Sequence, residues 1–237
     1  MTKSRSTRDL LFGCIFGLIA HRLATAGLRH PKLIVLLWPA VSFALVSAAY
    51  LIGEVRVFGK RCDGSRNPIA AVVLWPYLLC ARGVWLLQCA LSSAPAAVRV
   101  NRSLIIARRM RAQELPADAA VVCDLTCEFL DPKPIRTRPG YTAFPILDAS
   151  IAPPEDLIAL AKSLPPPAEG ALLIHCAKGH GRTGMFAVTW LLVHGFAKTA
   201  DEALGQLVAA RPELKLRKKQ RALLDDVQAM LRGEPVR

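Results

Sequence analysis

His175-Cys176-Ala177-Lys178-Gly179-His180-Gly181-Arg182-Thr183-Gly184 joins the short apolar run Leu172–His175 to a long apolar segment, Thr183–His194, that stops at Gly195. The pattern predicts a strand, a glycine-rich loop and a helix. Such a loop, ending on a helix amino terminus, turns several backbone N–H groups inward and makes a cradle for an anion. Arg182 adds a planar fork that can hold two phosphate oxygens at once. Cys176 opens the same loop, under the helix dipole and near a guanidinium, and both favour its thiolate. A thiolate beneath a bound phosphate is set for in-line attack at phosphorus.

Working outward, Ser103–Ala107 and Ala120–Asp124 are short, β-branched apolar runs that predict buried strands. Pro154–Leu164 predicts a helix, with proline first and acids in its opening turn, ended by Pro165-Pro166-Pro167. Thr199 to Glu202 forms a capping box that starts another helix, and Lys215–Leu231 supplies a last, amphipathic one. Strands alternating with helices imply an α/β layered domain. Only Cys176 among the seven cysteines has activating surroundings. Cys14, Cys80 and Cys89 sit in apolar filler, Cys123 and Cys127 read as core thiols, and no CxxC pair suggests zinc or redox work.

With Cys-x5-Arg, the preceding histidine, the internal glycines and Arg182-Thr183-Gly184 on view, residues 98–237 resemble the catalytic domain of dual-specificity and tyrosine phosphatases. Ser103–Ala107, Val121–Glu128, Tyr141–Asp148, the loop, Arg211-Pro212 and Gln220 follow the family's order. The short domain resembles dual-specificity enzymes more than the larger tyrosine-specific ones. The resemblance implies a metal-independent, cofactor-free phosphomonoesterase with a central sheet flanked by helices. It implies Cys176 as nucleophile through a phosphocysteine, Arg182 as phosphoryl ligand, and Asp148, 28 residues earlier, as general acid. Thr183 would donate its hydroxyl to the thiolate, and His175 would orient the loop rather than act as a base. Ala177, Lys178, Gly179, His180 and Gly181 would line the phosphate, and Gln220 would stand near the hydrolytic water. Glu155 and Asp156 are rival acids better explained as helix-starting residues, and Asp124 and Glu128 fit structural hydrogen bonds.

Lys178 stands where the family more often has a small residue, and His180 is a second departure. Basic side chains there resemble phosphatases of inositol lipids or phosphatidylglycerophosphate; as plain rim residues they would face solvent. Two substrate classes follow, phosphoproteins (the reading preferred here) and phospholipids. A catalytically inactive phosphate-binding module is the alternative of another class, disfavoured by the joint presence of Cys176, Arg182 and Asp148. A rhodanese-like sulfurtransferase has no use for Asp148 or the Thr183 hydroxyl. Gln220 also reads as a surface helix residue. The basic run Lys215–Arg221 reads as a solvated face or as contact with a membrane surface.

The amino-terminal part differs in kind. Residues 1–97 hold 11 basic and 3 acidic side chains with long uncharged gaps, whereas 98–237 hold 20 and 15, spread as on a water-soluble globule. Leu33–Gly53 runs 21 residues without a charge, enough to cross a hydrocarbon core of ~30 Å as a helix. Ile69–Ala90, interrupted only by Arg82, predicts a second span, with Trp75, Tyr77 and Trp85 suited to interfacial positions. Residues 10–28 form a possible third or interfacial segment. The expected organisation is a membrane-anchoring region, 1–97, and a phosphatase domain, 98–237. Basic flanks of six residues in 1–32 and five in 99–111, against four in 54–68, favour both ends in the cytoplasm and a multi-pass membrane protein. The 53% apolar content excludes a disordered or collagen-like chain. No repeat suggests a solenoid, and no groove-reading motif accompanies the net charge of +13, so nucleic acid is not an expected partner.

Overall fold

The computed structural model describes residues 7–234. The chain divides into two compact units, Met1–Ser93 with Cys127–Leu130, and Ala94–Thr126 with Asp131–Arg237.

The first unit is helical: α1 (Thr7–Arg29), α2 (Leu37–Ile52), α3 (Pro68–Val73) and α4 (Trp75–Leu91), with a 3-10 turn at Pro31–Leu36 leading into α2. Small residues let α1 and α2 approach closely. Ser47 Oγ donates to the Gly13 carbonyl at 2.7 Å, and a Cβ on Gly13 would stand 2.5 Å from the Leu51 side chain. Phe16, Phe43 and Tyr77 meet edge-on or tilted, with centroids 5.5–6.0 Å apart. The outside is apolar too, with Leu11, Leu18, Val41 and Ile52 all exposed. Thr7–Arg29 and Pro31–Ile52 are long and apolar enough to cross a membrane. Thus residues 10–28 lie inside a full helix of 23 residues. Ile69–Ala90 is instead divided at Leu74, and Pro76 in the first turn of α4 fits that break. The 17 residues of α4 extend about 26 Å. Trp75 is exposed, but Tyr77 and Trp85 are buried rather than interfacial. Within the same unit Lys60 Nζ donates to the Phe129 carbonyl at 2.8 Å and Arg66 Nη2 to that of Cys127 at 2.7 Å.

The second unit is a five-stranded sheet of order β1-β2-β5-β3-β4: β1 Ala97–Asn101, β2 Leu104–Arg108, β3 Ala119–Thr126, β4 Tyr141–Ile146 and β5 Ala171–Cys176. Only β1 runs antiparallel to its neighbour. Parallel strands covered on both faces read as unbroken apolar runs, and all six residues of the central β5 are buried. Its alternate side chains serve opposite cores. Leu172 and Ile174 join Leu104, Ile106 and Leu125 on one face, while Leu173 joins Ile105, Val122 and Ile135 on the other.

Among the described residues five α-helices complete the unit: α5 (Lys133–Arg136), α6 (Pro154–Ser163), α7 (Gly181–Val193), α8 (Ala200–Ala210) and α9 (Lys218–Arg232). α7 is buried from Arg182 to Leu191, which accounts for its apolar run. Thr199 caps α8 by accepting from Glu202 N at 3.1 Å, while the Glu202 carboxylate takes Lys198 N at 2.8 Å. α9 starts three residues later than its amphipathic pattern predicts, because Arg217 is extended (φ −80°, ψ 159°) and its N–H is taken by the Gln220 side chain.

Candidate active site

β5 delivers Cys176 to the carboxyl edge of the sheet, where the chain turns through Ala177–His180 into α7. Cys176 is 3% exposed. The turn fits because its glycines leave room. Gly179 has φ +74°, and a Cβ there would stand 2.7 Å from the Ala107 carbonyl group on β2. Gly181 faces the Gln220 amide, 2.8 Å from where its Cβ would be. Arg109 N also reaches back to the Ala177 carbonyl at 3.3 Å, tying the loop to the end of β2.

Arg182 is buried to 2% exposure on the first turn of α7. Its Nη1 donates to the Ile146 carbonyl at 3.0 Å, and its Nη2 pairs with Asp148 Oδ1 at 3.1 Å. The Asp148 side chain remains about half exposed. Ala149, next along, has φ +66°, the one non-glycine residue among those described in the left-handed region, and such strain gathers at functional loops. Gln220 is no surface residue: it is 1% exposed, accepts from Arg217 N at 3.1 Å and donates to the Ser150 carbonyl at 3.4 Å. It therefore ties α9 to the acid's loop and lies against Gly181. Glu155 and Asp156 are exposed in the opening turn of α6, in keeping with a helix-starting role.

Thr183 is fully buried, yet its hydroxyl makes no hydrogen bond in this arrangement, so the expected bond to Cys176 is not formed here. Lys178 is exposed. His180 is half-buried, and its imidazole is held below the usual range by burial first, then by Arg211 and Lys178, against a smaller opposing pull from Glu213. His180 is thereby kept neutral at pH 7. Arg211, which residue order alone did not single out as a site group, is 2% exposed and donates to the Gly179 carbonyl at 3.5 Å and to that of Pro95. Burial lowers its affinity for a proton, with Glu213 opposing.

Behind the loop His175 is fully buried, with Nε2 2.8 Å from Asp131 Oδ2 and 3.9 Å from Asp124 Oδ1. Donor atoms of these three residues lie within 4.8 Å of one another. Asp124 already accepts from Thr126 N, Thr126 Oγ1 and Tyr141 Oη, at 2.7–2.8 Å. A cation would have to displace those donors, so the trio reads as a hydrogen-bonded charge cluster.

Residues 133–227 match the family model described as "Swiss Army Knife protein, DSP-PTPase phosphatase domain". Over those residues this unit thus resembles a phosphatase domain of the dual-specificity type. Among solved structures, Tk-PTP in a mutant form shares 23% identity, covering 59% of this chain and 98% of that one, with a TM-score of 0.50. Human DUSP28 shares 21% over 59% of this chain and 97% of its own, with a TM-score of 0.48. PTPMT1 in complex with PI(5)P shares 13% over 58% and 97%, also with a TM-score of 0.48. At these identities the likeness is one of fold. No curated protein matches the chain in sequence.

Proposed function

We propose that the chain is a membrane-anchored, cysteine-dependent phosphomonoesterase acting on phosphoprotein esters of Tyr, Ser or Thr. The observation that carries the reading is the Arg182–Asp148 pair at 3.1 Å, which joins the loop after β4 to the start of α7, just beyond the loop that Cys176 opens. A nucleophile at the end of β5, an anion ligand on α7 and a half-exposed acid after β4 thus stand at the same edge of the sheet, which an inactive binding module does not need. In the first step the Cys176 thiolate attacks phosphorus, the P–O ester bond breaks, and Asp148 gives its proton to the leaving oxygen. Arg182 and the loop N–H groups hold the three remaining oxygens. Water then attacks the phosphocysteine and gives a proton to Asp148, and the thiolate leaves with phosphate released. Gln220, between Gly181 and Ser150, is suited to orient that water.

Exposure of Lys178 and neutrality of His180 support a rim rather than a second anion subsite, and so favour phosphoproteins. Phospholipid monoesters are the second reading, favoured by the two helices of span length. If Thr7–Arg29 and Pro31–Ile52 are both spans, the chain before α1 and after α2 lies on one side. Arg56, Lys60, Arg61 and Arg66 follow α2, while only Arg29 and Lys32 flank the intervening turn, which favours the cytoplasmic side. The expected loop 54–68 on the far side does not suit that hairpin.

Phosphate release by the full chain in micelles, from matched panels of phosphopeptides and phospholipids, tests the substrate class. Release from phospholipids alone would reverse the preference, and no release from either would remove the enzyme reading. A reporter fused after Arg237 should behave as cytoplasmic.

A further inference from the structure

α3 and α4 carry one charge, Arg82, between Ile69 and Leu91, and present Ile69, Val72, Leu79, Leu87 and Leu91 outward, each more than half exposed. Composition alone predicts a span here. Two hydrogen bonds argue otherwise. In the loop before α3, Lys60 Nζ donates to the Phe129 carbonyl and Arg66 Nη2 to that of Cys127. Cys127–Leu130 belongs to the same unit as that loop, yet its chain continues at both ends into the sheet unit, at Thr126 of β3 and at Asp131. Leu91, at the end of α4, leads six residues on to Ala97 of β1 in that sheet. A folded sheet unit lies on one side of a bilayer, so α3–α4 begins and ends on that side. α3, about 9 Å long, is too short to cross and be followed by a return.

The turn between the two helices is nonetheless deep. Trp75 stacks on Trp38 in the first turn of α2, with ring centroids 5.8 Å apart. Trp38 stands about 21 Å along α2 from Ile52. α2 also completes the break. Pro76 has no N–H for the Val72 carbonyl, which takes Trp38 Nε1 at 3.2 Å instead. Tyr77 N, which an unbroken helix would turn to Val73, donates to the buried Ser42 hydroxyl at 3.3 Å. Backbone freed by a break can sit at membrane depth when neighbouring protein groups take it up. From this turn α4 returns, and Trp85 meets Phe129 with centroids 6.2 Å apart.

We propose that α3–α4 is a re-entrant element. It enters the lipid from the side that carries the sheet unit, turns at Leu74–Pro76 against α2, and leaves on the same side. Its outer face is covered by acyl chains continuous with those around α1 and α2. The proposal goes beyond the phosphatase reading and rests on α1 and α2 being spans. Arg82 lies about 14 Å of helix from the exit at Leu91, and on an inclined helix its stem snorkels toward the lipid phosphates.

The test is labelling of the full chain by a membrane-impermeant maleimide, in sealed vesicles of known orientation prepared from expressing cells, read peptide by peptide by mass spectrometry. Cys62, in the loop before α3, and Cys80, on α4, are both exposed on the protein. Cys62 and an added Ser93→Cys should label together from the cytoplasmic face. Cys80 should label from neither face until detergent dissolves the vesicles. Labelling of Cys62 and Ser93→Cys from opposite faces would make Ile69–Leu91 a span and overturn the proposal. Labelling of Cys80 in intact vesicles would place α4 in water and overturn it equally. Lys32→Cys, in the turn before α2, reads the two spans: it should label only from the opposite face. Labelling from the same face as Cys62 would strike the spans themselves, and the proposal with them. No readout needs turnover, so an inactive chain with the expected labelling would count against the phosphatase reading alone.

Discussion

In the carboxyl-terminal unit Leu172, Ile174 and Phe186 are sealed from solvent, whereas in the amino-terminal unit Leu11, Leu18 and Ile52 are 54–58% exposed. One unit hides its apolar residues behind charged helix faces; the other wraps a small aromatic core in more apolar side chains. Burial of apolar surface is worth roughly 25 cal/mol per Å², so the second arrangement forgoes in water what the first collects. In lipid it forgoes nothing. The polar interiors differ in step. Asp124, His175, Arg182, Thr183, Arg211 and Gln220 are buried together around the carboxyl edge of the sheet and the loop behind it. In the first unit the buried polar groups include Asp9, Ser42 and Ser47, and Ser47 is spent on helix packing. Chemistry is thus concentrated in one unit, and the solvent requirement in the other.

The strongest way to break this division is to separate activity from membrane retention. Cys176→Ser should lower turnover by about 10⁴-fold or more while leaving phosphate-ester binding and membrane retention unchanged, because the loop and Arg182 remain. Substantial residual turnover, measured as phosphate release after purification, would sink the covalent mechanism. Activity lost together with membrane retention would sink the division itself.

A smaller loss sharpens the role of the acid. Protonating the leaving oxygen matters most for alkyl esters, so Asp148→Ala should cost on the order of 10²–10⁴-fold on phosphoserine peptides and far less on an activated aryl phosphate. Equal losses on both substrates would make the Arg182–Asp148 pair structural. The comparison of kcat on the two substrates is the measurement.

The first unit has its own test. On a water-exposed helix Leu18→Lys should be nearly neutral. At the centre of a span it should cost about 3 kcal/mol of insertion. Carbonate extraction of membranes from cells expressing the variant reads the difference, and full retention would argue against α1 as a span.

The two units were also unequally legible in sequence. β5, the loop and α7 could be read directly because both faces of β5 are covered and α7 is buried nearly throughout, so the apolar runs are unbroken. β1 was missed because an edge strand of five residues carrying Arg99 has too little alternation to stand out. The motif could name Cys176 and Arg182, and the family resemblance implies Asp148 ahead of it. It could not show Gln220 as buried, since α9 is amphipathic and its polar positions look alike until the helix is docked. Asp131 and Arg211 gave no local signal, because their partners lie 44 and 32 residues away. The division of Ile69–Ala90 at Leu74 had a visible cue in Pro76, whose effect depends on whether its neighbours tolerate a kink.

The smallest expected effect concerns His180, the rim residue that separates the two substrate readings. Its folded-state pKa lies below the ordinary imidazole value of 6.5, chiefly through burial and then through Arg211 and Lys178. The unfolded chain therefore binds this proton more readily than the folded one. The contribution of a neutral His180 to stability is full above about pH 6.5 and is lost as pH falls through the folded-state value. His180→Gln should flatten the acid side of the melting-temperature profile between about pH 6.5 and 5, with little change at pH 8. On phosphopeptides the variant should keep activity at pH 7, since a neutral ring there contributes no charge to the substrate. If His180 instead served a second anion, as the phospholipid reading requires, the substitution would raise KM on anionic phospholipid micelles and spare a small aryl phosphate. Loss confined to the micelles would overturn the rim assignment, and with it the preference for phosphoproteins.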